Sequence, residues 1–295
     1  MVLLGCGIPA APAPEQHLQI KGTRFVRPDG RPFDWRGITA FRLVEMEAAG
    51  RARDVDAYLA WAAKEELTVL RVLVMAKHLF ELSPERGLAA LDSFLTRAAR
   101  HGLFVEVVAL ADTASYPIDL NAHVKRVGEI AVRHPNTVIE IANEPYHGTQ
   151  VERMHDGAFL AALRKEIPPS IPVALGAAGY PDLHVEGDYV TFHSSRSPAE
   201  NGWGHVRDIK IGAEFLRRAG KPVVDDEPIG AAETFQPGRR DNVPERFRAH
   251  AREAKRLGLY ATFHYEGGLQ GRIPAGRELE CLRAWNRGWS ESVAK

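Results

Sequence analysis

The chain has little cysteine, no excess charge of either sign and no long apolar run, and each lack removes a class of function. Its two cysteines, Cys6 and Cys281, stand near opposite ends of the 295 residues. That is neither a disulfide framework nor a zinc-ligand spacing. Cys281 falls in a helical pattern and reads as a small buried apolar residue. Lysine plus arginine and aspartate plus glutamate both number 38, so the formal net charge is zero. Nucleic acid and anionic membrane surfaces are bound through an excess of basic charge, which is missing here, and a neutral substrate fits at least as well as a charged one. No apolar run approaches the ~18 to 20 residues that span a bilayer. No Gly-x-Gly-x-x-Gly turn follows the first strand pattern, which weakens a dinucleotide-binding reading. Nothing calls for a cofactor, and no pattern fixes an oligomeric state.

The N-terminal stretch stands apart. Leu3-Leu4-Gly5-Cys6 resembles the end of a bacterial lipoprotein signal, in which the cysteine is lipidated, but without the basic segment and most of the apolar segment that precede it. Residues 8–14 are rich in alanine and proline and read as a semi-rigid linker. Residues 1–18 are therefore expected to be a linker. The lipoprotein match implies a secreted or lipid-anchored envelope protein; without it, the protein is expected in the cytoplasm. Residues 19–295 have the length of one large domain, a little above the ~250 typical of a single (β/α)8 barrel.

Within 19–33, two short alternating runs flank Pro28-Asp29-Gly30, a turn signal, so a hairpin is predicted that covers the bottom of a barrel. Eight β-rich runs follow, at 35–39, 69–74, 104–110, 138–142, 173–175, 189–193, 223–226 and 260–264. Most begin about 33 to 38 residues after the one before, which suits one strand, loop, helix and loop per unit. The fifth and sixth are only about 17 apart, so a short turn is predicted between them. Helical patterns occupy 55–66, 82–101, 120–134, 151–166, 206–219, 243–257 and 275–289. Asp54 reads as an N-cap, Ser83-Pro84-Glu85 as a helix start, and Gly102, Gly220 and Gly258 as stops. Eight strands alternating with helices predict an α/β fold, a closed (β/α)8 TIM barrel.

Active sites of such barrels form where the strands end. The fourth run ends Glu140-Ile141-Ala142-Asn143-Glu144-Pro145, and the seventh Val223-Val224-Asp225-Asp226-Glu227-Pro228. Alternation puts Glu140, Ala142 and Glu144 on one face, puts Val223, Asp225 and Glu227 on one face, and turns Asp226 to the other. Two carboxylates converging on a barrel mouth suit glycoside hydrolysis. One must hold a proton for the leaving oxygen; the other must be ionised, to attack the anomeric carbon or to activate water. Their surroundings must push the two pKa values apart.

These segments resemble the clan A glycoside hydrolases, the cellulase- and mannanase-like family 5 type. Asn143-Glu144-Pro145 is similar to the clan's Asn-Glu-Pro motif, and 221–227 matches the spacing of its seventh-strand nucleophile. Phe33-Asp34-Trp35-Arg36-Gly37-Ile38 resembles the family's entry into the barrel, and Arg71 its second-strand arginine. The likeness runs from about Gln19 to the C-terminus. It implies a retaining mechanism, with Glu227 as nucleophile and Glu144 as acid/base, and carboxyls ~5 to 5.5 Å apart. It implies that Asn143 meets the sugar 2-hydroxyl and that Arg71 orients the nucleophile. Read on its own, Arg71 forms an in-barrel ion pair with Asp225 or Glu140.

Other positions depart from the family. His193 ends the sixth run where the family often has histidine, but Ser195 stands in place of the tyrosine two residues on. The family's eighth-strand tryptophan is missing, and Tyr265 or His264 is expected in its place as the sugar's floor. The third run ends in Asp112 without the common histidine. Phe41, Tyr116, Tyr146 and Trp203 are aromatic candidates in the mouth loops, with Trp203 and Tyr146 expected to contact substrate. Glu266 and Arg272 read as a solvated loop face. The expected partner is a carbohydrate. Two rival readings remain: a metal-dependent sugar isomerase or epimerase using Glu140, Glu144, Asp225, Asp226 and His193, and a non-catalytic carbohydrate-binding barrel.

Overall fold

Each of the eight apolar runs is too short and too β-branched to compete as a helix, and each becomes a parallel strand buried along most of its length. The computed structural model describes residues 16–177, 186–194, 204–228 and 243–291. The strands are β3 (Arg36–Thr39), β4 (Val69–Leu73), β5 (Phe104–Leu110), β6 (Thr137–Ala142), β7 (Val173–Gly176), β8 (Val190–Phe192), β9 (Val223–Asp225) and β10 (Tyr260–Phe263). Their hydrogen-bonded order is β7-β6-β5-β4-β3-β10-β9-β8, all parallel. The two ends of that order meet at Asp188, just before β8. Its N–H donates to Val173 O at 2.7 Å, and its Oδ2 accepts from Val173 N at 3.0 Å. The result is a nearly closed (β/α)8 barrel.

The bottom is sealed by the N-terminal hairpin. Here β1 (Gln19–Lys21) pairs antiparallel with β2 (Arg24–Val26), turning at Gly22, which adopts φ +57°. The turn read at Pro28-Asp29-Gly30 is a second reversal: Gly30 N donates to Arg27 O at 2.8 Å and brings Pro32 back beside Val26. Phe25, fully buried, packs its ring against Trp35, Tyr189 and Tyr260. Around it stand the first inward residues of the strands, among them Val69, Phe104, Val138 and Val224. Truncating such a ring to alanine costs about 3–5 kcal/mol, so this plug fixes the barrel from below.

Among the described residues seven helices form the outer layer: α2 (Ala52–Lys64), α3 (Pro84–Arg100), α4 (Leu120–Ala131), α5 (Gly157–Arg164), α6 (Gly204–Ala219), α7 (Pro244–Arg256) and α9 (Gly276–Glu291). Two short ones, α1 (Leu43–Ala48) and α8 (Glu266–Leu269), lie in the loops after β3 and β10. At α3 the Ser83 Oγ accepts from Arg86 N at 3.4 Å, with Pro84 first in the helix. Gly87 lets α3 approach the end of β4: a Cβ there would sit 1.7 Å from Val74 O. Gly102, Gly220 and Gly258 all take positive φ past their helices, as stop residues should. Cys281 is buried in α9. No helix among the described residues is long and apolar enough to cross a membrane.

Two helix boundaries differ from expectation. Asp54 does not cap α2; it lies inside the first turn, where its Oδ2 accepts from Arg51 Nε at 2.7 Å. The pattern over 151–166 is not one helix but a 3-10 turn (Glu152–His155) and then α5, split where the Asp156 Oδ1 caps Ala158 N at 2.9 Å. Asp-Gly is a poor helix interior, and the cap bond is available only if the helix restarts there. The turn predicted between the fifth and sixth strands falls largely in 178–185, outside the described residues.

Candidate active site

A fully buried arginine is costly unless charged and polar partners surround it. Arg71, pointing inward from the middle of β4, has them on four sides. Its Nε and Nη2 donate to Glu140 Oε2 at 3.0 and 2.7 Å, Nη2 to Asn143 Oδ1 at 2.9 Å and Nη1 to Glu227 Oε1 at 2.5 Å. Asp226 Oδ2 lies 3.0 Å from Nε, Glu106 Oε2 lies 3.8 Å away, and the Phe41 ring lies under the guanidinium at 5.2 Å. Although burial opposes its charge, Asp226, Glu140, Glu227 and Glu106 together hold Arg71 firmly protonated.

Four carboxyls share that one guanidinium, so they cannot all ionise. Burial, reinforced by the charge on Glu140, pushes Glu106 up to about 8. Burial also drives Asp226 well above the usual carboxylate range, against the pull of Arg71. Tyr189 donates to Glu106 Oε1 at 2.9 Å, and Thr191 Oγ1 to Glu140 Oε1 at 3.1 Å.

The inward face of β9 differs from the alternation read in the sequence. Val224 joins the barrel-bottom core, so the next inward residue is Asp226. Asp225 points outward to α7. It accepts from His250 Nε2 at 2.8 Å, from Ser194 N at 3.2 Å and from Ser194 Oγ. It is therefore not a partner of Arg71, whereas Glu140 is. Glu227 still reaches the mouth because β9 ends at Asp225 and strict alternation ends with it.

Glu144 follows β6 with φ +42°, a left-handed conformation that costs a residue bearing a Cβ about 1–3 kcal/mol and persists only when its surroundings enforce it. The enforcing contacts are visible. Asn143 N donates to Leu110 O at 2.9 Å, and buried Gln150 donates from Nε2 to Asn143 O at 2.6 Å. Gln150 is itself braced by Thr113 Oγ1 at 2.7 Å. Glu144 is a quarter exposed (26%), and its Oε1 lies 3.0 Å from His193 Nδ1. His193 Nε2 lies 3.3 Å from Asp226 Oδ1 and 3.8 Å from Glu227 Oε1. One oxygen each of Glu144 and Glu227 and a nitrogen of His193 all lie within 4.8 Å of one another.

Above these groups opens a cavity of about 300 Å³. Asn143, Glu144, Glu227 and His264 line it together with Phe41, and Asp112, His78, His147 and Thr149 form a polar wall. His264 sits 3.8 Å from Glu227 Oε2 through Nε2, and its Nδ1 lies 2.7 Å from Thr39 Oγ1. Tyr265 is turned the other way. It is buried against Phe263, with its hydroxyl 2.9 Å from that of Tyr58 and donating to Arg272 O at 2.5 Å, so of the two eighth-strand candidates His264 alone is in the wall. Tyr146 is exposed and is not among the lining residues. Trp203 and Ser195 lie outside the described residues.

Asp112, His78, His147 and Glu106 were not singled out as site residues from the sequence. For Glu106 the signal was there: a lone charge within Phe104-Val105-Glu106-Val107, on the same strand face as the barrel interior. Asp112 is nearly buried, accepts from His78 N, and has its pKa raised by burial. The triplets Glu144–His193–Glu227 and Glu140–His193–Asp226 are close enough to chelate an ion. Arg71 already stands among three of those carboxylates and supplies their counter-charge, which makes the cluster a poor host for a dication.

The fold is shared with solved structures. The chain is similar to a glycoside hydrolase family 5 structure from Bacteroides vulgatus ATCC 8482, with a TM-score of 0.63 and 17% identity over 88% of this chain, which spans 64% of that one. An endo-1,4-β-mannanase from Rhizomucor miehei matches with a TM-score of 0.61 and 16% identity, over 85% of this chain and 90% of that one. A β-glucanase from Saccharophagus degradans, solved in complex with cellotetraose, matches with a TM-score of 0.61 and 14% identity, over 85% and 88%. No family model matches the chain, and no curated protein matches it.

Proposed function

We propose that this protein is a retaining glycoside hydrolase that cleaves a β-linked poly- or oligosaccharide by double displacement. The observation that carries this reading is the Glu144–Glu227 pair, with oxygens within 4.8 Å across the cavity. Retaining enzymes hold their carboxyls ~5 to 5.5 Å apart, whereas inverting enzymes need ~6.5 to 9.5 Å to admit a water. The surroundings are unequal, as two different roles require. Glu227 is nearly buried and held by Arg71, while Glu144 is more exposed and held by His193. The likeness to an endo-1,4-β-mannanase and to a β-glucanase supports the substrate class.

In the first step a Glu227 oxygen attacks the anomeric carbon, the glycosidic C–O bond breaks, and Glu144 gives its proton to the departing oxygen. In the second, water attacks the same carbon, Glu144 takes the water's proton, and the ester to Glu227 is released. Asn143 uses its Oδ1 on Arg71, which leaves its amide N–H groups for the sugar 2-hydroxyl. His264 and Phe41 line the pocket, and Asp112, His78 and His147 offer partners to further hydroxyls.

A screen of aryl β-glycosides and β-linked oligosaccharides identifies the substrate. Glu227→Ala then abolishes turnover on it, and azide or formate restores turnover with an inverted product. Parental activity in Glu227→Ala would remove Glu227 from its assigned role.

A further inference from the structure

His193 bridges two carboxyls that lie on different strands. Its Nδ1 faces Glu144 Oε1 at 3.0 Å, and its Nε2 faces Asp226 Oδ1 at 3.3 Å, just beyond a well-formed hydrogen bond. Asp226 is completely buried, and neither its Oδ1 nor His193 Nε2 makes a hydrogen bond among the described residues, so two unsatisfied polar atoms face each other across this short gap. From the geometry we infer that Asp226 and His193 form a proton relay to Glu144. This rests on the assignment of Glu144 as acid/base. Both residues are positioning residues in it, because they act through Glu144.

The relay conserves protons. In one state Glu144 is protonated and donates to His193 Nδ1, while His193 Nε2–H donates to an ionised Asp226. In the other, Asp226 is protonated and donates to Nε2, while Nδ1–H donates to an ionised Glu144. Each state holds two protons on the three groups. Passing between them moves one O–H proton onto one imidazole nitrogen and the other N–H proton onto the opposite carboxylate, with no exchange with solvent. The first state is the acid form of Glu144 that the first step needs; once its proton has gone to the leaving oxygen, one proton remains on the three groups, and the second step restores the other from water.

The charged groups facing this chain are Arg71 from β4, Glu106 from β5, Glu140 from β6 and Glu227 after β9. All but Arg71 are acidic. A second carboxyl coupled through the imidazole makes the last proton of the pair harder to remove, so Glu144 stays protonated to higher pH than it would alone.

The test needs no substrate. Glu144 is titrated by carboxyl 13C NMR in the parent, in Asp226→Asn, in His193→Gln and in the double variant. Asp226→Asn is expected to lower the Glu144 pKa by about one unit or more. His193→Gln is expected to lower it as well, and in that background Asp226→Asn should shift it much less. An unchanged Glu144 titration in Asp226→Asn overturns the relay. An equal shift in both backgrounds overturns it too, because a charge acting through space does not need the imidazole. Should Asp226→Asn fail to fold, His193→Gln alone decides, and an unmoved Glu144 titration counts against the relay. Where the parent cleaves a substrate, the basic limb of kcat/KM should move to lower pH in Asp226→Asn. That effect should be larger for 4-nitrophenyl than for 2,4-dinitrophenyl glycosides, whose leaving group needs less protonation. If Glu227→Ala keeps parental activity, the double-displacement assignment fails, while the NMR result still judges the relay.

Discussion

Arg71 Nη1 donates to Glu227 Oε1 at 2.5 Å, while the same guanidinium holds Glu140 and Asn143, so one side chain sets both halves of the proposed reacting pair. A lysine cannot span these partners from one head group. Arg71→Lys is expected to lower kcat/KM by a hundredfold or more, about 3 kcal/mol of transition-state stabilisation. Arg71→Met leaves buried carboxylates without a counter-charge and is expected to destabilise the fold by about 3–5 kcal/mol. Steady-state kinetics and urea unfolding check the two.

Asn143 is assigned to the sugar 2-hydroxyl. Asn143→Ala should therefore cut kcat/KM on the normal sugar by about ten- to a hundredfold, a hydrogen bond of 1.5–3 kcal/mol. On the matching 2-deoxy glycoside the parent and the variant should differ little. Equal losses on both substrates would point to a role in holding Arg71 instead.

Glu106 gives the fold a pH dependence of defined sign. Its pKa in the folded protein is about 8 against an unfolded value near 4.5, so between these the native state binds more protons than the unfolded one. Stability is then greatest below the unfolded pKa and falls as pH rises through about 8. Asp226 adds a slope of the same sign. Glu106→Gln, which keeps an acceptor for Tyr189, should flatten the fall in unfolding free energy over this window, measured by denaturant titration at several pH values.

Gly87→Ala tests the contact of α3 with β4. The added Cβ meets the Val74 carbonyl, which is backbone and cannot rotate aside. A loss of about 1–3 kcal/mol or more is expected, with a lowered Tm. Activity should fall as well, since Val74 follows the strand that carries Arg71.

A metal-dependent isomerase on this barrel would lose activity with a chelator. Turnover of the identified substrate should be unchanged by EDTA, and should not respond to added divalent ions, because Arg71 already stands among these carboxyls where a dication would have to sit.

The barrel was legible in the sequence because each unit repeats the same physical pattern of an apolar run, a stop and an amphipathic helix. All eight predicted strands are present, within two residues at their ends. The Glu144 and Glu227 positions were legible because a charged residue closing an apolar strand has few other reasons to be there. The inward face of β9 was not. Its alternation puts Val224 and Asp226 inside and Asp225 outside, where the bonds from His250 on α7 and from Ser194 hold it. Nor was the orientation of Tyr265, which is set by Tyr58 on α2, far away in sequence. His264 and Asp112 occupy the wall positions where the family resemblance failed, so the residues around the cavity had to be read from their folded places.

The central claim is that Glu227 attacks the sugar and Glu144 serves both steps. The most direct measurement is the anomer released first from a β-linked oligosaccharide that the parent cleaves, followed by proton NMR before mutarotation. Double displacement at this pair predicts the β-anomer as the first product, decaying to the equilibrium mixture. The α-anomer appearing first would mean a single displacement by water, and would contradict the roles assigned to both glutamates.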